Sequence, residues 1–439
     1  MAAKVQKFRE LAKRDVVQSA SAESQETGDI QTPLRLLLSS STILVLPPTA
    51  LFHVASRSRL VLLVIEKQRN IPTTDMAELD RASSPNPSVL AHVVDVHCHP
   101  TDSPVPSEVM DQLSIRICAM STRASDQPLV RDLANKYPAK VIPCFGYHPW
   151  FSHWIAIDPF TSKEDHYRHL LVDPSKSEHA EAFDRLLPYL PDPTPLSDMI
   201  TSLRSDLQAF PHSMLGEVGL DRSARIPFTP PSPVPYALHD PEKKELSPFT
   251  VPLEHQLKVI EAQLELAVEL GRNISMHSVK AQQATVDLLD RMAKRFGEKW
   301  TRVSIDLHSC GLSAQTWRDI ERKHPNAFLS LSTAINSRSP AHKTLVAACS
   351  PTRILVESDF NDIRPCAMRT WDMLCTVAEV KGWSVEEQWD DEAPDDRETW
   401  GAVRRLEENW KRFEKGGHLP AGKKPSKRQM QLEDWEEEE

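Results

Sequence analysis

Glycine is scarce in this chain, 12 residues in 439, about 3% where ~7% is ordinary. Collagen-like and glycine-rich architectures are therefore excluded. None of the seven cysteines forms a C-x-x-C pair, and their number is odd, which suits a reducing compartment better than a disulfide scaffold. No apolar run reaches the ~18 residues that a membrane-spanning helix needs. The most apolar stretch, 36–65, is cut by Pro47, Pro48, His53, Arg57 and Arg59. The N-terminal region carries the charged KVQKFRELAKRD where a signal peptide would be apolar. The expectation is an intracellular protein, cytoplasmic, nuclear or both, with no membrane partner. A basic field for wrapping duplex nucleic acid is also missing, since 52 Lys and Arg face 62 Asp and Glu for a net charge of −10. Six of those acids lie in the final LEDWEEEE, so the rest of the chain carries only −4 and leaves room for a local phosphate site.

Proline, by contrast, is abundant at 35 residues, about 8% against ~5% on average, which implies long irregular connections. Residues 1–90 read as an extension of uncertain order, with a polar SASAESQETGD segment, the broken apolar run and SSPNPS. From Ala91 onward, short β-branched runs alternate with segments of helical apolar spacing. Strands are predicted at 91–97, 115–120, 140–146, 214–219, 273–277, 302–308, 327–332 and 353–358. Helices are predicted at 255–270, 281–296 and 313–323; in the first, Leu257, Ile260, Leu264, Ala267 and Val268 form one buried stripe. Eight strands with intervening helices favour a parallel sheet with right-handed crossovers, and eight closes a (β/α)8 TIM barrel, here over 91–415. Two insertions interrupt it. Residues 147–212 contain extra helical patterns, and the prolines of 222–252 are expected to exclude regular structure. Both follow strand ends on the rim where a barrel accepts substrate-shaping loops. Residues 416–439 read as a disordered charged tail, whose KKPSKR stretch has the composition of a nuclear-import signal.

The chemistry lies at the strand ends. In Asp95-Val96-His97-Cys98-His99 the two histidines are two apart on a strand, hence on one face, where they either meet one ion or simply cap the strand. Glu217 in GEVGLD is a carboxylate at an apolar strand end, costly to bury unless paired or metal-bound. His277 and His308 close two successive strands, and Asp359 follows RILVES, with Glu357 two positions before it. Each is weak evidence alone. Together, five of eight strands end in His, Glu or Asp, and barrel strand ends converge on one mouth. Four histidines and two carboxylates suffice for two metal ions if one carboxylate bridges.

The motifs DVHCHP (95–100), FGYHPW (145–150), GEVGLD (216–221), QLELAVELGRNISMHS (263–278), LHSCG (307–311) and LVESD (355–359) resemble the TatD-like family of metal-dependent hydrolases in the amidohydrolase superfamily. The resemblance runs from Ala91 to Trp383, with an echo at Asn409–Phe413. It implies metal ligands at His97, His99, Glu217, His277, His308 and Asp359, with Glu217 bridging two divalent ions, zinc, manganese or magnesium. It also implies phosphodiester hydrolysis of the DNase or 3′-exonuclease kind, with Asp359 taking the proton of the attacking water and Glu217 counted with it as catalytic. His148, in Gly146-Tyr147-His148-Pro149, matches a family position near the substrate.

Some features depart from the family. Many members carry an arginine after the His-Ser pair, but here Val279 stands there and Lys280 follows, able to bind phosphate only as a point charge. The extension, insertions and acidic tail resemble a eukaryotic, fungal elaboration. Nucleic acid or another phosphodiester is the expected substrate, with protein partners through the insertions and tail. Two other readings stay open: hydrolysis of another small ester or an amide on the same site, or a non-catalytic scaffold built on the barrel. Trp150 and Trp154, near the mouth, either stack bases or anchor packed loops.

Overall fold

The computed structural model describes residues 85–239, 244–392 and 396–418, and the backbone of two strands, Leu34–Leu38 and Thr42–Leu46, which pair antiparallel. The chain divides into two units, Met1–Ser84 and Pro85–Glu439. The expectations for the rest of the extension and for KKPSKR and the acidic run lie outside the described residues.

In the second unit, eight parallel strands stand side by side in chain order. They are β1 (Val94–Cys98), β2 (Arg116–Met120), β3 (Val141–Phe145), β4 (Met214–Asp221), β5 (Ile274–Val279), β6 (Ile305–His308), β7 (Ala327–Leu331) and β8 (Ile354–Val356). The seam between β8 and β1 is closed just beyond the strands. Asp359 N donates to His97 O (2.9 Å) and His99 N to Phe360 O (2.9 Å). Asp95 Oδ1 accepts from Ser358 N at 2.9 Å. The result is the (β/α)8 barrel expected from the alternation. Its connecting helices are α1 (Ser107–Gln112), α2 (Gln127–Lys136), α3 (Leu196–Ala209), α4 (Leu253–Leu270), α5 (Gln282–Phe296), α6 (Ala314–Lys323), α7 (Ala341–Ala348) and α8 (Ile363–Lys381). A last helix, α9 (Ala402–Lys415), crosses the floor, where Trp410 and Phe413 pack with Val94, Ile142, Met214 and Phe328 inside the barrel. Phe413 O accepts from Asn273 Nδ2 (2.9 Å) and Ser304 Oγ (2.6 Å), which fixes α9 to β5 and β6.

Two irregularities in the ladder position the chemistry. Between Asp95 and Cys98, β1 advances three residues while β2 advances two, from Ile117 to Ala119. Between Leu215 and Val218, β4 likewise advances three while β5 advances two, from Ile274 to Met276. Such bulges turn a strand and re-aim its side chains. The first contains His97 and the second Glu217. On the outside, two buried glutamines of α4 hold the loops above them. Gln263 accepts from Tyr147 N (2.8 Å), and Gln256 accepts from Asp221 N (2.8 Å) and donates to Asp221 O (2.8 Å).

The insertion 222–252 corrects an expectation. Its segments Arg225–Pro227 and Leu246–Thr250 form a short antiparallel pair with an irregular register. A two-stranded ladder has only edges, where a missing N–H costs little. Ile226, Phe249 and Val251 then share a small core with Tyr167, Leu171, Phe183 and Leu186 of two helices in the other insertion, Lys163–Leu171 and Ser177–Leu186. The two insertions thus form one lobe rather than separate loops.

Candidate metal centre

Glu217 is 4% exposed, and every imidazole expected at the site points at it. Its two oxygens divide them. Oε1 faces His148 Nε2 (3.2 Å), His277 Nδ1 (2.8 Å) and His308 Nε2 (2.8 Å). Oε2 faces His99 Nε2 (3.2 Å) and His97 Nε2 (3.7 Å). Asp359 Oδ1 lies 3.9 Å from His97 Nε2 and 3.8 Å from His99 Nε2, on the Oε2 side. The six residues expected as ligands, from five strand ends, are therefore brought together. Lys280 is not among them, being exposed at the rim directly after β5.

The local backbone explains how so many polar side chains meet. Asp359 (φ 46°), Ser309 (φ 40°) and Lys280 (φ 50°) adopt left-handed conformations just after β8, β6 and β5, a strained choice for residues with a side chain. Gly219 lets β4 approach β5 closely, since a Cβ there would sit 2.1 Å from His277 O. His97 stacks on His308 with centroids 3.6 Å apart, and its Nδ1 is hydrogen-bonded to Ser275 Oγ at 2.7 Å.

This donor set fits cations. His97 Nε2 and His99 Nε2 face each other at 3.1 Å, an arrangement that mixed nitrogen and carboxylate ligands adopt around a shared ion. Without an ion, protons take its place. Burial lowers the proton affinity of His99, but Glu217, Asp102 and Asp359 outweigh it and hold its pKa up at about 10. His277 and His308 are raised against burial in the same way, while burial and the neighbouring His308 lower His97. Glu217 is held well below the carboxylate range because His148 and His308 outweigh its burial. His148 differs. Its Nδ1 accepts from Trp150 N at 3.1 Å, which leaves the ring proton on Nε2, and burial lowers its pKa to about 4. It is thus a neutral N–H donor aimed into the centre, deeper than the substrate-side position expected from sequence.

A family model for TatD-related DNases matches residues 94–390. The chain belongs to this family. A Cut9-interacting protein of Schizosaccharomyces pombe is 32% identical over 67% of this chain and 94% of its own length. An uncharacterized deoxyribonuclease of Saccharomyces cerevisiae is 31% identical over 61% of this chain and 83% of its own. A human deoxyribonuclease is 24% identical over 67% and 89%. As a TatD-family member the protein is a hydrolase acting on ester bonds, of a class that uses divalent metal ions.

Three further residues surround this TatD site, of which the sequence singles out only Glu357, and without a role. Asp221 Oδ2 takes the Trp150 indole N–H (2.6 Å) and lies 3.5 Å from His277 Nε2. Its signal was present, since Asp221 is four residues from Glu217 on the same strand. Glu357, fully buried, receives the hydroxyls of Ser309 and Ser330 and lies 3.9 Å from His308 Nδ1. Ser330 Oγ also sits 2.7 Å from Asp306 Oδ2. One hydroxyl proton cannot serve two carboxylates, and burial together with the neighbouring Glu357 pushes the Asp306 carboxyl above its usual range. No pattern in the sequence marks that pairing.

Proposed function

We propose that this TatD protein hydrolyses phosphodiester bonds of nucleic acid, acting on free single-stranded ends, with two divalent ions held on either side of Glu217. The observation that carries the reading is the division of donors by the Glu217 carboxylate, His148, His277 and His308 on Oε1 against His97 and His99 on Oε2. His97, His99 and Asp359 would hold one ion, His277 and His308 the other, with Glu217 shared. Bound there, such ions lower the pKa of a water and neutralise phosphoryl oxygens. The chain's own residues supply the rest. Asp359, whose side chain is 15% exposed and so reaches the open face, accepts the proton of the attacking water. The Nε2–H of His148 holds Glu217 Oε1 in place, and Lys280 attracts a neighbouring phosphate from the rim. Support for the nucleic-acid substrate comes from the two relatives named as deoxyribonucleases. The acidic overall balance argues against duplex wrapping. The catalytic body is 91–415, and the lobe of paired insertions offers a protein-binding surface, in keeping with a relative named for interacting with Cut9. Free cysteines throughout are consistent with a reducing compartment, the cytoplasm or nucleus.

The test uses protein reconstituted with zinc, manganese or magnesium on single-stranded DNA and closed circular duplex. Trimming of single strands should exceed nicking of circles. Asp359→Asn should lower kcat by ~10²–10⁴ while metal bound through His277 and His308 persists. Hydrolysis of carboxyl esters or amides without any phosphodiester cleavage would transfer the site to the other ester or amide reading.

A further inference from the structure

We propose that Trp150 is the platform on which the base beside the scissile phosphate stacks, so that the site selects an unpaired terminal nucleotide whatever its sequence. This rests on the phosphodiester reading above. The two tryptophans of the loop after β3 have different surroundings. Trp154 is half-buried beneath the Arg123 guanidinium (5.5 Å to the ring centroid) and against Phe151 (4.8 Å). It is a loop anchor. Trp150 is 49% exposed, yet it is not free to swing. Its indole N–H is held by buried Asp221 at 2.6 Å, and its backbone N–H by His148 Nδ1 at 3.1 Å. An exposed aromatic face that is already immobilised loses little entropy when a base covers it.

Its position suits that use. The indole centroid lies 4.6 Å from the His148 ring and 6.3 Å from the His277 ring, the two imidazoles flanking Glu217 Oε1. A base on Trp150 therefore sits one side chain away from the centre that would receive its phosphate. Two cations share the rim. Arg222 follows Asp221, Lys280 follows Val279, and these strand ends are register partners joined further by Arg222 N to Val279 O at 3.1 Å. Both cations are exposed, and neither has an ion-pair partner among the described residues. An aromatic face beside unpaired cations is the chemistry of sequence-tolerant single-strand binding, in which the ring takes the base and the cations take the backbone. Lys280 then contributes the point charge that the missing arginine would have supplied as a fork.

The test compares kcat/KM on a single-stranded oligonucleotide with that on the same strand carrying an abasic terminal nucleotide, for the metal-loaded wild type, Trp150→Phe and Trp150→Leu. The wild type should favour the base-bearing strand by about tenfold. Trp150→Phe keeps a ring without the N–H and should retain most of that preference, whereas Trp150→Leu should bring the ratio close to one. Elemental analysis should give the same metal content for all three, which separates stacking from damage to the Asp221–His277 side of the centre. If the wild type cleaves both strands and the ratio is unchanged in Trp150→Leu, or falls equally in Trp150→Phe, stacking is wrong and the phosphodiester reading stands. If the wild type cleaves neither strand, both fall together.

Discussion

At the floor of the barrel, Phe413 meets Phe328 edge-on at 5.3 Å and Trp410 at 5.5 Å, and α9 closes the strand beginnings with apolar rings. At the mouth, the far ends of the same strands and the loop after β3 bring five imidazoles and the Asp359 carboxylate around the buried oxygen pair of Glu217. All three left-handed non-glycine residues among those described stand at the mouth. A protein tolerates such strain where function needs it and offsets it elsewhere. The floor stabilises the barrel, and the mouth uses part of that stability to hold cations.

Substitutions at the two ends should separate those roles. At the mouth, Glu357→Gln removes the charge beneath His308 Nδ1 while keeping hydrogen bonds for Ser309 and Ser330. We expect a loss of about 10–100-fold in metal affinity or turnover, read by metal titration and steady-state kinetics with the fold intact. An unchanged affinity and rate would deny Glu357 any part in positioning His308.

Metal binding at the mouth should also depend on pH, in a direction set by the protons it displaces. His99 in the metal-free chain is held up at about 10, and His277 and His308 are raised as well. At neutral pH an entering ion must therefore expel their protons, so apparent affinity should rise with pH, by roughly tenfold per unit for each proton displaced. Calorimetry in buffers of different ionisation enthalpy should record proton release. Affinity that is flat or falls from pH 7 to 9 would contradict the protonated cluster.

The smallest effect on chemistry should come from the floor. Phe413→Ala empties a fully buried ring site and should cost ~3–5 kcal/mol of unfolding free energy in a denaturant titration. Turnover per folded molecule should hardly change. A large fall in kcat at unchanged metal content would mean that the two ends are coupled more tightly than their separation in the fold suggests.

The difference between the ends also accounts for what could be read in advance. His97, His99, Glu217, His277, His308 and Asp359 were legible because each closes a hydrophobic strand, and strand ends of a barrel meet. The eight alternations announced the barrel for the same reason. Simple alternation could not reveal that β1 and β4 bulge at His97 and Glu217, since an extra residue in a ladder depends on the partner strand. Nor could it foresee the ladder in 222–252, whose strands are stabilised by Tyr167 and Phe183 from a distant insertion. For His148 the sequence offers only the resemblance of its motif to a family position near the substrate. Its aim at Glu217 depends on Gln263 of α4 gripping the loop from outside.

The central claim is that Glu217 is shared between two ions, and the most direct test is the metal content of purified protein, wild type against Glu217→Ala, after reconstitution and removal of free metal. The account predicts up to two ions per chain for the wild type and loss of both, together with hydrolytic activity, in Glu217→Ala. Two ions retained by Glu217→Ala, or none bound by the wild type, would contradict it.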